Sequence, residues 1–327
     1  PGNPYVGQVW YNQNLGDLRI RKTNLNNAWS TGNPLNTARQ GVGQAGTQTA
    51  ALAFGGYDGT AVTAVTEQYN GTNWTEVADL NTARDSSAGF GATNAAAIYA
   101  GGSGTPDGAI TESWNGTSWT EVGNLNTARN TLAGNGTSTS GLVYGGYITT
   151  NQTLTESWNG SAWTEVADLN TAIRQNAGSG ADNTSALNFG GGPPATAATE
   201  LWNGTSWFTV NSLNTARKGL DGAGIQTAAL AFAGGPSGST LTESWNGSIW
   251  TETSDLNLAR RSGTGFGTNT AAVMAGGTPV TGATEEWNAN SAQGVWATGG
   301  SLNTARTHIR GAGVSTSSIA FGGETTP

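Results

Sequence analysis

An arginine recurs in a repeated word of this chain, Leu-Asn-x-Ala-Arg in most copies. A ring of guanidinium groups could clamp an acidic glycan, because their planar donors match carboxylates. A glutamate recurs two residues before a later aromatic residue of most repeats, and it offers each arginine an ion-pair partner. Six glutamates in phase with seven arginines favour this structural pairing over the glycan clamp. The set is Arg39, Arg84, Arg129, Arg174, Arg217, Arg260 and Arg306, with Glu67, Glu112, Glu156, Glu200, Glu243 and Glu285.

Residues for catalysis are scarce. His308 is the only histidine and there is no cysteine, which excludes disulfides, thiolate metal sites and a histidine cluster repeated from unit to unit. Four aspartates lie in non-equivalent loops and form no recognisable carboxylate pair. We therefore predict no enzymatic activity, no cofactor and no metal, with a propeller hydrolase or lyase kept as a third function. These aspartates are Asp58, Asp107, Asp182 and Asp221.

Asn-Gly-Thr or Asn-Gly-Ser follows an aromatic residue in five copies, and each copy is formally a glycosylation sequon. Asn-Gly is also the strongest two-residue hairpin signal, so we interpret these words as turns. The asparagines are Asn70, Asn115, Asn159, Asn203 and Asn246.

The composition excludes several classes of protein. The formal charge is −8 and no basic stripe is present, which argues against nucleic-acid binding. No apolar run approaches the roughly 20 residues that span a bilayer, so we expect no membrane insertion. Abundant Gly and few charges could indicate disorder, but thirteen regularly placed Trp residues argue against it. Because the chain begins at Pro1, we expect it to be processed or part of a longer protein.

The period of the repeat is about 45 residues. The Leu-Asn word begins at Leu35 and returns after 45, 45, 44, 44, 43 and 46 residues. A second Trp stands six residues before each word, and Trp29 has the same spacing to Leu35. We therefore expect a single domain over residues 1–327, with a seventh unit shared by the two ends. The expected units are 35–79, 80–124, 125–168, 169–212, 213–255, 256–301, and 302–327 together with 1–34.

Each unit is expected to contain four short antiparallel strands. In the second unit these are 87–91, 95–100, 110–114 and 118–122, with Asn115-Gly116 joining the last two. Helical repeats of this length would show 3.6-residue periodicity, which is absent. The pattern predicts an all-β propeller. At the N-terminus, 7–12 and 18–21 flank a turn and are expected to form a hairpin.

A Gly pair after the second strand, an aromatic residue in the third and a Trp in the fourth resemble the kelch repeat. The resemblance covers essentially the whole chain, and it implies a propeller whose terminal strands share one blade. We therefore expect seven blades, with Gly pairs where a Cβ would crowd the neighbouring blade and Trp side chains that cover the adjacent blade.

The loop after the second strand varies in length and composition between units. This loop and the one after the fourth strand share one face, because antiparallel strands alternate in direction. A rigid scaffold that presents variable loops is typical of a recognition surface, although neutral drift would give the same pattern. The possible ligand-contacting residues are Tyr57, Asp58, Thr105, Asp107, Tyr147, Asn151 and Ser237.

The segment Gly7-Gln8-Val9-Trp10-Tyr11-Asn12, followed by Gly16-Asp17-Leu18, resembles one found in bacteriophage tail-fibre and other virion proteins. This resemblance implies a virion-borne or extracellular adhesin that binds host-surface glycans or other virion proteins and could form homo-oligomers. The alternative is an intracellular kelch-type scaffold for protein interactions.

Overall fold

The computed structural model describes residues 9–12, 17–104, 108–298, 310–314 and 317–321, with side chains from 27 to 104 and from 108 to 289. The chain divides into two compact units. One is Ala28–Asn288, and the other combines Pro1–Asn27 with Ala289–Pro327. The described part contains no helix long and apolar enough to cross a membrane.

The secondary structure consists of short strands. They are β1 Val9–Asn12, β2 Asp17–Gly32, β3 Gly43–Thr47, β4 Ala50–Phe54, β5 Thr66–Tyr69, β6 Trp74–Glu76, β7 Ala88–Thr93, β8 Ala96–Ala100, β9 Thr111–Trp114, β10 Trp119–Glu121, β11 Ala133–Thr137, β12 Ser140–Tyr144, β13 Thr155–Trp158, β14 Trp163–Glu165, β15 Ala177–Asp182, β16 Ser185–Phe189, β17 Thr199–Trp202, β18 Trp207–Val210, β19 Asp221–Ile225, β20 Ala228–Phe232, β21 Thr242–Trp245, β22 Trp250–Glu252, β23 Thr264–Gly267, β24 Ala271–Ala275, β25 Thr284–Thr298, β26 Arg310–Val314 and β27 Ser317–Phe321.

The unit Ala28–Asn288 is a β-propeller of six four-stranded antiparallel blades. Five blades are formed by consecutive strands, from β3–β6 to β19–β22, and the sixth has the order β23-β24-β25-β2. The first strands of the blades lie side by side around the centre, and β23 returns to contact β3. The ring is therefore closed within this unit.

The expected Asn-Gly turns are present. Trp114 pairs with Trp119 across Asn115 and Gly116, and Gly116 has a φ of 94°. The Asn115 carboxamide oxygen accepts the backbone N–H groups of Thr117 and Ser118 at 2.9 Å. Each hairpin places two large rings on the same face of the blade, because directly paired residues point the same way.

The blades are joined by the fourth-strand tryptophans. Trp119 packs edge-on against Phe54 of the preceding blade, with ring centroids 4.8 Å apart. Its indole N–H also donates to the Thr66 hydroxyl of that blade at 3.1 Å. Each Trp thus covers the adjacent blade, as predicted. The equivalent indole-to-hydroxyl bonds are Trp29–Thr242, Trp74–Thr284, Trp163–Thr111, Trp207–Thr155 and Trp250–Thr199.

The prediction of seven blades is wrong, because Trp29 completes the sixth blade. Trp29 packs against Trp287 at 5.5 Å, and its carbonyl oxygen accepts the Asn257 side-chain N–H, as the Trp74 carbonyl accepts that of Asn36. The N-terminal Trp half therefore supplies the fourth strand of the sixth unit. Fourth strands elsewhere follow their third-strand aromatic by five residues, whereas nine separate Trp287 from Trp296.

In the smaller unit, β1 pairs with the beginning of β2 in the hairpin expected there, from Val9 opposite Ile20 to Asn12 opposite Asp17. β26 and β27 form a second antiparallel hairpin. The expected closure blade combined 302–327 with 1–34. In the structure, 28–32 belong to the propeller, and β26 and β27 belong to the smaller unit.

The Gly pairs lie where neighbouring blades approach closely. Gly55 has a φ of 65°, and a Cβ there would lie 2.6 Å from the Arg84 carbonyl oxygen of the next blade. In the fifth blade Ala233 takes this first position, with a φ of 62°. Its N–H bonds to Leu241 as that of Gly55 bonds to Val65. In the fifth blade the residues equivalent to the Gly pair are therefore Ala233 and Gly234, and not the doublet Gly234-Gly235.

Candidate ligand-binding face

One face of the propeller carries the loops that enter the first strand and those that leave the second. In the first blade these are residues 36–42 and 55–65. Gln40 and Tyr57 form a two-way backbone bridge between the two loops, with N···O distances of 3.0 and 2.8 Å. We call this side of the propeller the loop face.

At the centre of the loop face, six equivalent residues adopt the left-handed backbone conformation. We call them the mouth ring. The four that are not Gly have φ between 52° and 55°, a region that side chains with a Cβ rarely occupy. Thr131 is the most unusual, because it is β-branched. The mouth ring consists of Gly41, Ser86, Thr131, Gln175, Gly219 and Ser262.

Backbone hydrogen bonds connect the mouth ring into a closed circle. Each N–H donates to the carbonyl oxygen of the equivalent residue in the preceding blade, with Thr131 to Ser86 at 2.7 Å and Gly41 to Ser262 at 2.8 Å. All six bonds run in the same direction. The other four are Ser86 to Gly41, Gln175 to Thr131, Gly219 to Gln175 and Ser262 to Gly219, at 2.8–3.1 Å.

The mouth ring borders a central pocket of about 150 Å³. This volume can hold several water molecules or a small polar group. The pocket walls combine exposed backbone with a few polar side chains that differ from blade to blade. Gln44 and Asp221 lie at inner-strand positions where most other blades have Gly or Ala. Asn176 lies just before β15, and its buried side-chain N–H donates to the Asn188 side-chain oxygen at 2.7 Å.

Asp221 is the only acidic residue among the described residues that line this pocket. Its carboxylate oxygens accept the backbone N–H groups of Gly222 at 2.7 Å and Gly265 at 2.9 Å. Burial raises the pKa of Asp221 to about 7, although these two hydrogen bonds act in the opposite direction. The pocket can therefore change charge near neutral pH.

The repeated arginines lie inside the blades. Arg39 and Glu67 are 2.8 Å apart and both side chains are fully buried. The same guanidinium donates to the carbonyl oxygens of Gly55 and Val65 at 2.8 and 2.6 Å. Such groups cannot clamp a ligand on the surface. The other buried pairs are Arg84–Glu112, Arg129–Glu156, Arg217–Glu243 and Arg260–Glu285.

The fourth blade departs from this arrangement. Its word reads Leu-Asn-Thr-Ala-Ile-Arg, and Ile173 occupies the position of the buried arginine. The Ile173 carbonyl oxygen accepts the backbone N–H of Gly146. In the second blade, the Arg84 carbonyl oxygen accepts the backbone N–H of Gly56 in the same way. Arg174 is displaced by one residue towards the loop face and forms no ion pair with Glu200 in the described part of the chain. The Glu200 carboxylate accepts N–H groups of Asn170 and Thr171 at 2.8–3.1 Å, the same bonds that Glu112 accepts in addition to its ion pair. Arg306 lies outside the described residues.

The predicted ligand-contacting residues lie in the loops of this face, except Thr105 and Asp107, which fall outside the described residues. Hydrogen bonds from Thr60 and Ala61 lower the pKa of Asp58 to about 2 and fix its loop. Tyr147 and Asn151 form a backbone bridge. Tyr57 is partly exposed and Ser237 is exposed. The structure therefore distributes these residues over several blades around the pocket.

Sequence reasoning missed the mouth ring and the residue preceding each of its members. At this preceding position the blades carry Gln40, Asp85, Asn130, Arg174, Lys218 and Arg261. A detectable signal existed, because residue types change here from copy to copy immediately after an almost constant word. The described part of the chain contains no group of three or more potential metal ligands, and His308 lies outside it.

A comparison with models of known protein families gives no match, and neither does a comparison with curated protein sequences. The fold and the chemistry of the loop face are therefore the basis for a functional assignment.

Proposed function

We propose that this chain is a recognition module of a virion-associated fibre or appendage and that it binds a host-surface glycan through the loop face. One observation carries the proposal. The residues that hold the blades together are almost the same in every copy, whereas those around the pocket mouth vary between blades, with four residue types in the mouth ring and five at the position before it. A propeller with only a structural role would not need variable residues at the pocket mouth beside constant residues in the blade core.

The pocket chemistry favours binding over hydrolysis. Common glycoside hydrolases use two carboxyl groups on either side of the scissile bond. Among the described residues that line the pocket, Asp221 is the only carboxylate, and it is engaged by backbone N–H groups. Neutral side chains of the pocket lining, such as the carboxamides of Gln44 and Gln175, suit the hydroxyl groups of a saccharide.

The two sequence resemblances support a role in molecular recognition and a virion location. The Gly-pair and Trp pattern resembles kelch repeats, whose propellers act in molecular recognition. The segment 7–18 resembles one in bacteriophage tail-fibre and other virion proteins. We accordingly propose a virion or extracellular location, with another virion protein as the second type of partner.

A glycan array probed with the purified chain tests the recognition function. We expect binding of a restricted set of glycans and at least tenfold weaker binding by Gln175→Trp, because a bulky ring at the mouth blocks the pocket. The matched control is Thr120→Trp, which adds the same ring at an exposed fourth-strand position and should leave binding unchanged.

Two results would contradict the proposal. One is no glycan signal for the chain or for particles that carry it. The other is equal loss of binding in both variants. Immunogold labelling tests the virion setting, since absence of the chain from purified particles would exclude it. A peptide bound on the loop face would instead favour the intracellular scaffold.

A further inference from the structure

Positive charge is rare on the propeller and is concentrated at one place. Eight Lys or Arg side chains are described, and five belong to the buried ion pairs. The remaining three are Arg174, Lys218 and Arg261, which we call the basic arc. They occupy the same repeat position in the consecutive fourth, fifth and sixth blades. The first three blades carry Gln40, Asp85 and Asn130 there.

The basic arc lies directly beside the mouth ring, because each of its residues precedes a ring member. Gly219 donates its N–H to Gln175, and Ser262 donates to Gly219, so the three backbones are joined blade to blade. A Cβ on Gly219 would lie 3.7 Å from the Arg261 Cβ. The Arg261 side chain therefore begins at the edge of the mouth.

The backbone of the basic arc is held by the loops that follow the second strands. The carbonyl oxygens of Arg174, Lys218 and Arg261 accept N–H groups of Gly192, Gly235 and Thr278 at 2.7–2.9 Å. The three cations are thus presented by fixed backbone. A preorganised site loses less conformational entropy when it binds a ligand.

The two guanidinium groups of the basic arc are also oriented by the loop face. The Arg174 guanidinium stacks on the Tyr147 ring, with its central carbon 4.0 Å from the ring centroid. Its Nε is buried and has no hydrogen-bond partner. Arg261 donates to the Pro236 carbonyl oxygen at 3.2 Å. All three side chains are partly exposed, so the ligand would reach them from solvent.

We propose that the basic arc binds the carboxylate of an acidic saccharide whose neutral part extends over the pocket mouth. This inference rests on the proposed recognition function and specifies its ligand class. The planar Arg174 and Arg261 groups match a carboxylate, and Lys218 between them adds a third charge-assisted donor.

The test compares polygalacturonate with a neutral galactan in titrations of the intact chain, and it includes dextran sulfate and inorganic phosphate as separate arms. We expect the uronate polymer to bind and the neutral polymer to bind at least tenfold more weakly. Arg174→Gln and Arg261→Gln should each weaken uronate binding by about tenfold or more, the range for loss of a charge-assisted hydrogen bond. Binding should also weaken as salt increases.

Arg174→Lys with Arg261→Lys keeps the charge but removes the planar forks. Partial loss in this variant would indicate carboxylate geometry, and unchanged binding would reduce the site to a general charge effect and overturn the carboxylate assignment. The control is Thr75→Ala with Thr120→Ala, at exposed positions of the fourth strands in the first and second blades, which should leave uronate binding unchanged. Thermal unfolding of every variant separates loss of binding from loss of the fold.

The outcomes distinguish this inference from the proposed function. Neutral glycans bound equally well by the chain and by the basic-arc variants would retain the recognition function and overturn the acidic ligand. Preferential binding of dextran sulfate or phosphate would overturn the carboxylate assignment. Uronate binding lost in the basic-arc variants, with no signal for any host glycan, would retain the site and overturn the proposed function. No binding of any acidic probe would overturn the inference.

Discussion

The indole N–H of Trp29 donates to the Thr242 hydroxyl at 3.0 Å, although 213 residues separate them along the chain. This contact joins the sixth blade to the fifth. It repeats the geometry by which Trp119 bonds to Thr66, so an N-terminal residue completes a series that the other five blades supply in order.

Trp29→Ala should destabilise the propeller by about 3–5 kcal/mol, the usual cost of truncating a buried Trp. Trp74→Ala should have a similar effect, because both side chains are buried at equivalent positions. Chemical unfolding followed by tryptophan fluorescence measures the change. The control is Phe208→Ala, whose ring is 49% exposed and should contribute less than about 1 kcal/mol. Equal losses for Trp29 and Phe208 would contradict closure by the N-terminal strand.

Thr131→Gly should stabilise the protein by about 1 kcal/mol, because the left-handed conformation strains a β-branched residue and suits Gly. The variant retains the hydrogen bond from the backbone N–H of residue 131 to the Ser86 carbonyl oxygen. At the preceding residue φ is not positive, so Asn130→Gly should destabilise by about 0.5–1 kcal/mol. Urea midpoints with unchanged slopes would report these differences, and a destabilised Thr131→Gly would show that the Thr side chain outweighs the backbone strain.

The buried glutamates of the third and fourth blades should respond differently to neutralisation. Glu156→Gln leaves Arg129 buried without a partner charge and should cost about 3–5 kcal/mol. Glu200→Gln leaves no unpaired arginine, because Ile173 occupies that position, and should cost only about 1–2 kcal/mol through weaker hydrogen bonds. The difference in free energy of unfolding between the two variants is the decisive quantity. Equal costs would mean that the ion pair is not the main determinant.

Asp221 should make stability depend on pH between about 4 and 7. Its carboxyl group has a pKa near 7 in the folded protein against an ordinary value of 3.8, so the folded state holds the proton more tightly. The free energy of unfolding should therefore fall through this window as pH rises, by on the order of 1–3 kcal/mol, and then level off.

Asp221→Asn should remove that component of the pH dependence. Asp182→Asn is a control of opposite sign, because a hydrogen bond from the Thr184 side chain lowers the pKa of Asp182. That stabilisation should be present above about pH 4 and lost in more acidic solution. Unfolding curves collected from about pH 2 to about pH 8 test both variants. An unchanged pH profile for Asp221→Asn would show that its carboxyl group titrates normally.

The blade architecture could be predicted because its signals are local. Trp114, Asn115, Gly116 and Trp119 specify a hairpin within six residues, and the same words recur at a constant period. The number of blades could not be predicted by counting words. It depends on which strand pairs with β25, and Trp29 takes that place. The longer spacing from Trp287 to Trp296 was the only local signal of this exception.

The candidate site was only partly predictable. The loop face follows from strand alternation, but Ser86, Thr131 and Gln175 are not residue types that favour a left-handed backbone. Their conformation depends on bonds between blades that lie about 45 residues apart. Ile173 at the position of the buried arginine also moves Arg174 to a partly exposed position on the loop face. The repeated word alone gave no indication of this change.

The closed circle of backbone bonds at the mouth has a consequence for how this protein can diversify. Its donors and acceptors are peptide groups, so the side chain of Gln175 or Ser262 can be replaced without removing a bond of the circle. Ligand preference can therefore change through single codon substitutions at the mouth, while selection for folding acts on Trp, Thr, Arg and Glu residues elsewhere. The propeller separates the positions that accept new chemistry from those that must remain constant.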